Sequence, residues 1–456
     1  MLFCATAGFS GPPDWGAVAV TETLGLFLND RPVGVMTNDL HVVEIGKRVG
    51  THLTLTVNTV SGNTLLQAMS LDENRVYDWS GRLVSAMQSL TSPAGTNRWE
   101  LLCDSTGKAQ LIITTGGIVN RQPVMKVTES IRPLYLLCKG VIDSTIKKGD
   151  TWIDTSYDLM SGTQVYVKTI CKAIASQASG NRWIFGSNNS VTEREERWEL
   201  DKKGKTLYRE IPPFFTAKPL IGNKADTTEN ANIFEAFGIP ASRAPSLDET
   251  IGIVMDSGMT IDSTVRIFYG KTADSVWAVD ASEQCQNDKL PIRYSDSLKA
   301  YLQPTVTIQS DAKQIKDLAL SLKGKEIRTC GIIRMFNKYV YEHIMKKNTA
   351  TFSSAIETLN AGFGDCGEHA VLLTALLRAA GIPSRVVLGL VYIEGKGYLY
   401  HAWVMAWSKG WIFTDPALGI YPSPDKRIPI VVDDTGQRSV LLAKYIGRIR
   451  ISYVKR

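Results

Sequence analysis

The hexapeptide Gly364-Asp365-Cys366-Gly367-Glu368-His369 opens an apolar run, residues 370–380, that closes at Gly381-Ile382-Pro383. A run this rich in Ala and Leu specifies a buried helix: Gly381 can take the left-handed cap, and Pro383 forbids continuation. Cys366 then falls on its first turn. There the unpaired backbone N–H groups and the positive end of the helix dipole favour a thiolate, the nucleophilic form of cysteine. The competing reading is a cysteine that only packs as a small apolar side chain, the commoner fate of the residue.

A partner decides between these readings. Downstream, residues 398–407 (YLYHAWVMAW), then Ser408-Lys409-Gly410, then residues 411–416 (WIFTDP) read as a β-hairpin with aromatic strands. With Ser408–Gly410 as the loop, Trp407 lies opposite Trp411 and Asp415 opposite Trp403. His401 shares a face with Trp403, so Asp415 is its diagonal neighbour, about 7–8 Å away between backbones and within side-chain reach. A cysteine, a histidine and an aspartate thus stand in the roles a thiol triad needs: Asp415 orients the imidazole, His401 takes the thiol proton and Cys366 attacks a carbonyl. His369, three positions after Cys366, is a weaker alternative base, because a group one turn deeper in the same helix cannot easily approach the sulfur and a substrate together.

The blocks Gly364-Asp365-Cys366, Leu376-Leu377-Arg378-Ala379, Gly381-Ile382-Pro383, Arg385, Gly389, His401-Ala402-Trp403, Gly410-Trp411 and Asp415-Pro416 resemble the transglutaminase-like superfamily. The resemblance is densest over 361–420. It implies a papain-like α+β core in which the cysteine helix packs on a sheet carrying the other two residues, with Cys366, His401 and Asp415 as the triad. Many members carry an acidic residue soon after the His-Ala-Trp block, whereas this chain has Val404 and Met405, which bears on the electrostatics around the histidine and on acceptor preference. Arg378 and Arg385, in the most family-like block, suit a role in holding helix against sheet at least as well as substrate contact.

The 456-residue chain as a whole has the composition of ordinary globular material, 44% hydrophobic and 21% charged. The net charge of +6 is spread along the chain with no basic run interleaved with aromatics, which disfavours a nucleic-acid partner. No apolar stretch of about 18 residues is available to cross a bilayer as a helix. The seven cysteines are scattered and include no Cys-x-x-Cys pair, which disfavours zinc and a dense disulfide framework while leaving room for one bridge in the N-terminal half. No calcium-type acidic loop stands out, and no metal or cofactor is implied.

In chain order, 1–14 reads as a disordered terminus or the remnant of a signal peptide, because it holds an apolar scrap ending in Ala-Thr-Ala without a charged region or long apolar core. An exported location, periplasmic or extracellular, goes with that reading. Residues 15–220 form a β-rich domain of antiparallel, sandwich-like sheets, with alternating strands at 53–57 and 164–170. A five-residue echo, Asn97-Arg98-Trp99-Glu100-Leu101 and Glu196-Arg197-Trp198-Glu199-Leu200, each followed by a polar turn with glycine, suggests two related β-units. The charge run 193–197 is assigned to an exposed face, and the tryptophans at 15, 79, 99, 152 and 183 to sheet packing. A polar boundary falls over 221–245, followed by a small β-unit at 246–304 with strands at 263–269 and 276–279. The catalytic domain spans 306–456, with helices over 311–322 and 329–345, then the Cys366 helix, the strands, and edge strands near 428–432 and 451–454.

The chemistry implied is acyl transfer through a thioester on protein or peptide amides, with the backbone N–H of Cys366 as one oxyanion donor. If water resolves the thioester the enzyme is a peptidase or deamidase, the favoured reading; if an amine does, it is a cross-linking transamidase. A different class of function is a binding or scaffold protein built on the β-rich region, with the triad domain as an accessory.

Overall fold

The computed structural model describes residues 20–219 and 238–455, apart from 29, 44–45, 60–64, 93–94, 178–179, 212–214, 247, 274–275, 280–284, 348–352 and 424–426. The expected signal remnant at 1–14, Trp15 and most of the 221–245 boundary lie outside the described residues. The chain forms two compact units, Met1–Thr114 with Val119–Asn232, and Thr115–Ile118 with Ile233–Arg456.

In the first unit the alternating segments form β1 (Val20–Leu28), β2 (Arg31–Val43), β3 (Gly46–Thr59), β4 (Leu65–Asp78), β5 (Leu83–Ser92), β6 (Gly95–Cys103), β7 (Ala109–Thr115) and β8 (Ile118–Val124). After helix α1 (Arg132–Ile142) come β9 (Thr151–Asp158), β10 (Thr163–Gln177), β11 (Gly180–Asn189), β12 (Glu195–Leu200), β13 (Thr206–Ile211) and β14 (Phe215–Pro219). All fourteen belong to one sheet, ordered β8 to β1 and then β14 back to β9. The two meanders join where β1 runs antiparallel to β14, from Leu24 opposite Pro219 to Leu28 opposite Phe215. Leu137 and Val141 of α1 pack with Trp183, Phe185 and Trp198 in a local core.

The sequence echo is a repeated hairpin turn. After β6 the Asp104 side chain accepts from the Lys108 N–H at 3.1 Å, and after β12 Asp201 accepts from Lys205 at 2.9 Å. A third copy joins β4 to β5, where Asp78 accepts from Arg82 at 3.0 Å. In each, the Gly N–H closes on the Asp carbonyl, and Gly81, Gly107 and Gly204 stand at φ of 86°, 84° and 75°. An Asp at the first position with Gly in the left-handed region three residues on is the chemistry of a type I turn with a bulge, so the pattern is set locally.

In the second unit the strands are β15 (Glu249–Met255), β16 (Tyr269–Ala273) and β17 (Val276–Val279). The helices are α2 (Lys313–Lys323), α3 (Thr329–His343), α4 (Ala355–Ala361) and α5 (Cys366–Ala379). Then come β18 (Ser384–Ile393), β19 (Gly397–Trp407), β20 (Trp411–Thr414), β21 (Arg427–Val432) and β22 (Ile449–Lys455). The strand expected from 263 starts only at Tyr269, because Arg266–Phe268 tighten into a 3₁₀ turn. The central sheet runs β20-β19-β18-β21, and a second runs β16-β17-β15-β22. The last strand therefore pairs with β15, Ile253 opposite Ile451, across about two hundred residues of sequence.

Strand alternation divides the core. Val386, Leu388, Ala402 and Val404 face the helices and meet Leu372 and Leu376 of α5. Val387, Leu390, Trp403 and Met405 face the other way, onto Ile251 and Ile253. Each such Val, Leu, Ile or Met side chain, fully buried, contributes about 1.5–3 kcal/mol. Residues 368–378 of α5 are all buried, as its apolar circumference requires. A disulfide joins Cys285 to Cys330 at the start of α3, with 5.9 Å between their Cα atoms. In the N-terminal half, where one bridge was expected, Cys138 of α1 is also disulfide-bonded.

Candidate active site

Asp365 caps α5. Its Oδ1 accepts from the Gly367 N–H at 2.7 Å, while Glu368 Oε2 reaches back to the Asp365 N–H at 2.9 Å, which is a reciprocal capping box. Asp-x-x-Glu was readable in the sequence and fixes Cys366 as the first helical residue. The other end closes as expected, Gly381 taking φ of 84° and the Ile382 N–H bonding to the Leu377 carbonyl.

The Cys366 sulfur meets β19 where the backbone N–H of Ala402 donates to it, next in the chain to His401. The expected thiolate is not what this setting produces in the isolated thiol. Burial pushes the Cys366 thiol well up, and the charge of Asp365, with smaller contributions from Glu368 and Asp415, adds to it against the Ala402 N–H. The cap that positions the cysteine thus opposes its ionisation, and deprotonation requires a base.

The hairpin has the expected register, Trp407 opposite Trp411 and Val404 opposite Thr414. His401 Nε2 lies 2.8 Å from Asp415 Oδ2. Its Nδ1 is left as the remaining nitrogen, and its ring stands nearly parallel to that of Trp403. Asp415 is fully buried and saturated: Oδ1 accepts from the N–H groups of Ala417 and Leu418 at 3.0 Å each, and Oδ2 also receives Arg427 Nη2 at 2.8 Å. Burial alone would raise this carboxyl, yet His401, Arg427 and the Leu418 N–H together hold it below its ordinary value.

Arg427 is the residue that sequence reading missed. It enters from β21, is itself buried, stands over the Trp403 ring at 5.5 Å, and has its Nε on Ser423. An arginine closing the charged triplet 425–427 and heading the apolar run 428–432 was the available signal. Gly389, opposite His401 on β18, is also explained: a Cβ there would fall 2.0 Å from the Ile428 carbonyl oxygen and 2.7 Å from Trp403.

The other candidates go elsewhere. His369 is fully buried, with Nδ1 2.6 Å from the Asp365 carbonyl and Nε2 3.1 Å from that of Ile344, so both nitrogens are turned to backbone oxygens and the residue belongs to the interior, not the surface. Arg378 binds the Ser384 and Gln303 carbonyls and, with Arg385, the carboxylate of Asp434. Both arginines clamp helix, strand and loop.

Residues 316–416 match the family model of the transglutaminase-like superfamily, and the C-terminal region of this chain carries a domain of that kind. Over 78 residues the chain is 35% identical to the uncharacterized protein ML0607 of Mycobacterium leprae, covering 15% of this chain and 27% of that one. The chain thus spans about a quarter of the length of that curated relative. Among solved structures, the β-barrel-like protein of the DUF1849 domain family from Brucella abortus is 10% identical, covering 45% of this chain and 96% of its own at a TM-score of 0.34. The periplasmic domain of TgpA from Pseudomonas aeruginosa is 17% identical, covering 39% and 92% at a TM-score of 0.23. Among the described residues no helix is long and apolar enough to cross a membrane.

Proposed function

We propose that the C-terminal region is a thiol-dependent acyl-transfer enzyme acting on amide bonds of protein or peptide substrates, with Cys366 as nucleophile, His401 as acid and base, and Asp415 as its orienting partner. The observation that carries this reading is the 2.8 Å bond from His401 Nε2 to a saturated, buried Asp415, beside a cysteine sulfur that receives the N–H of the residue following His401. Because the thiol is held up in pKa, His401 Nδ1 removes its proton as sulfur attacks the carbonyl carbon. The Cys366 N–H, which has no partner within the helix, faces the developing oxyanion. Collapse breaks the C–N bond, the amine leaves with the proton held by His401, and a thioester remains. Water, deprotonated by the same imidazole, releases a carboxylate and the free thiol. Hydrolysis is the favoured outcome, and an amine in place of water gives transamidation. The Cys285–Cys330 disulfide supports an exported, oxidising location.

The test uses the full chain with a denatured protein substrate such as casein, with and without a fluorescent primary amine. Peptide release or ammonia release that Cys366→Ala abolishes supports hydrolysis; covalent amine incorporation moves the assignment to transamidation. Iodoacetamide labelling of Cys366 supplies the substrate-free arm. Labelling near neutral pH that is slowed by His401→Ala supports the pair, and labelling indifferent to His401 overturns it.

A further inference from the structure

The first unit contains a cavity of about 290 Å³, the volume of about ten waters, on one face of its sheet. Alternate residues of the strands line it: Trp152, Asp154 and Ser156 from β9, Val165, Val167 and Thr169 from β10. The opposite side of these strands is inverted in polarity, with Ile153 66% and Tyr166 54% exposed. Buried charge opposes folding unless it is compensated, so charged groups turned inward need partners.

Part of the lining is compensated internally. Arg75 donates to Glu73, to Glu129 and, at 3.0 Å, to the Tyr157 carbonyl. Glu129 also accepts from the Tyr77 hydroxyl and the Tyr157 N–H. Asp158 caps its own turn through the Ser161 N–H. Three lining groups have no ion-pair partner among the described residues: Asp154, Glu196 and Arg209. Glu196 comes from the charge run expected on an exposed face. The run is strand from Glu195 onward, so Glu195 and Arg197 point out while Glu196 points in. Arg209 and Glu196 influence each other electrostatically without closing an ion pair. Asp154 accepts from the Thr155 N–H at 2.8 Å, and burial still pushes its carboxyl up to about 6 against that bond and the more distant charge of Arg75. Trp152 and Trp198, both packed on Phe185, provide an aromatic wall.

Two carboxylates and one guanidinium are complementary to a small molecule with two cationic groups and one carboxylate. We propose that this cavity is a binding site for a free basic amino acid, its two ammonium groups meeting Asp154 and Glu196 and its carboxylate meeting Arg209. The cavity is preformed on rigid strands and of a size for about ten non-hydrogen atoms, at the small end of ligand pockets.

The experiment is calorimetric titration of the full chain with L-lysine, L-norleucine, which lacks the side-chain amine, and cadaverine, which lacks the carboxylate. Lysine should bind, with norleucine and cadaverine at least about tenfold weaker. Arg209→Gln should erase the preference for lysine over cadaverine, and Glu196→Gln that for lysine over norleucine. Failure of lysine to bind at millimolar concentration, equal binding of all three compounds, or unchanged selectivity in both variants overturns the proposal. The ligand series on the parent chain stands even if a variant fails to fold.

Discussion

Replacing Asp415 by Asn strands a buried guanidinium. Oδ2 of Asp415 stands 2.8 Å from Arg427 Nη2, and the two side chains are 0% and 3% exposed. At an effective dielectric constant of about 20, unit charges at that separation attract by about 6 kcal/mol, and desolvation offsets part of this. Removing one member of such a pair costs about 3–5 kcal/mol, because the survivor is left uncompensated. For a unit of this size that is a fall in Tm of about 10 °C or more. Arg427→Met in the same chain removes the stranded charge, so the double variant should melt well above Asp415→Asn alone. Activity behaves differently: His401 loses its orienting carboxylate in both, and turnover should stay about 10²–10⁴-fold below the parent in each. Thermal scans of the four chains of the cycle, paired with turnover, separate the two roles. A double variant no more stable than the single, or one with recovered activity, refutes the reasoning.

Burial and Glu368 hold the Asp365 carboxyl well above its ordinary value, so its charge opposes the Cys366 thiolate only on the alkaline side. Asp365→Asn keeps an N-cap acceptor, and in a pH series of iodoacetamide labelling it should speed Cys366 several-fold at alkaline pH; slower or equal labelling throughout the series contradicts the assigned cause. Gly389→Ala drives a methyl into the Ile428 carbonyl and Trp403, and should destabilise the second unit by about 1–3 kcal/mol or more, read as a lowered Tm with the first unit unaffected. Asp154 is an acid whose folded pKa, about 6, lies above its unfolded value. Its ionisation therefore opposes folding, a penalty absent at low pH that grows as pH rises from about 4 and is complete above the folded value. Asp154→Asn should raise stability at pH 7 by up to about 3 kcal/mol and leave it unchanged at pH 4, checked by denaturant titration at both.

The sequence by itself determined whatever depends on near neighbours. The apolar run after Cys366 with Gly381 and Pro383 specified α5, because helix periodicity and caps act within a few residues. The three-residue loop Ser408–Gly410 fixed the hairpin register and with it the meeting of His401 and Asp415. Asp-x-x-Gly placed the turns of the large sheet without outside help.

The tertiary structure decided what sequence distance hides. Arg427 reaches Asp415 only because β21 pairs with β18 through a register shift at Gly389, a contact no local pattern encodes. The state of the Cys366 thiol turned on burial and on Asp365, which outweigh the dipole expectation drawn from its place in the helix. Glu196 looked like one charge in a solvated run, and only the folded sheet shows that its side of β12 lines a cavity. Strand alternation says that neighbours part to opposite faces, but the fold alone says which face encloses a cavity.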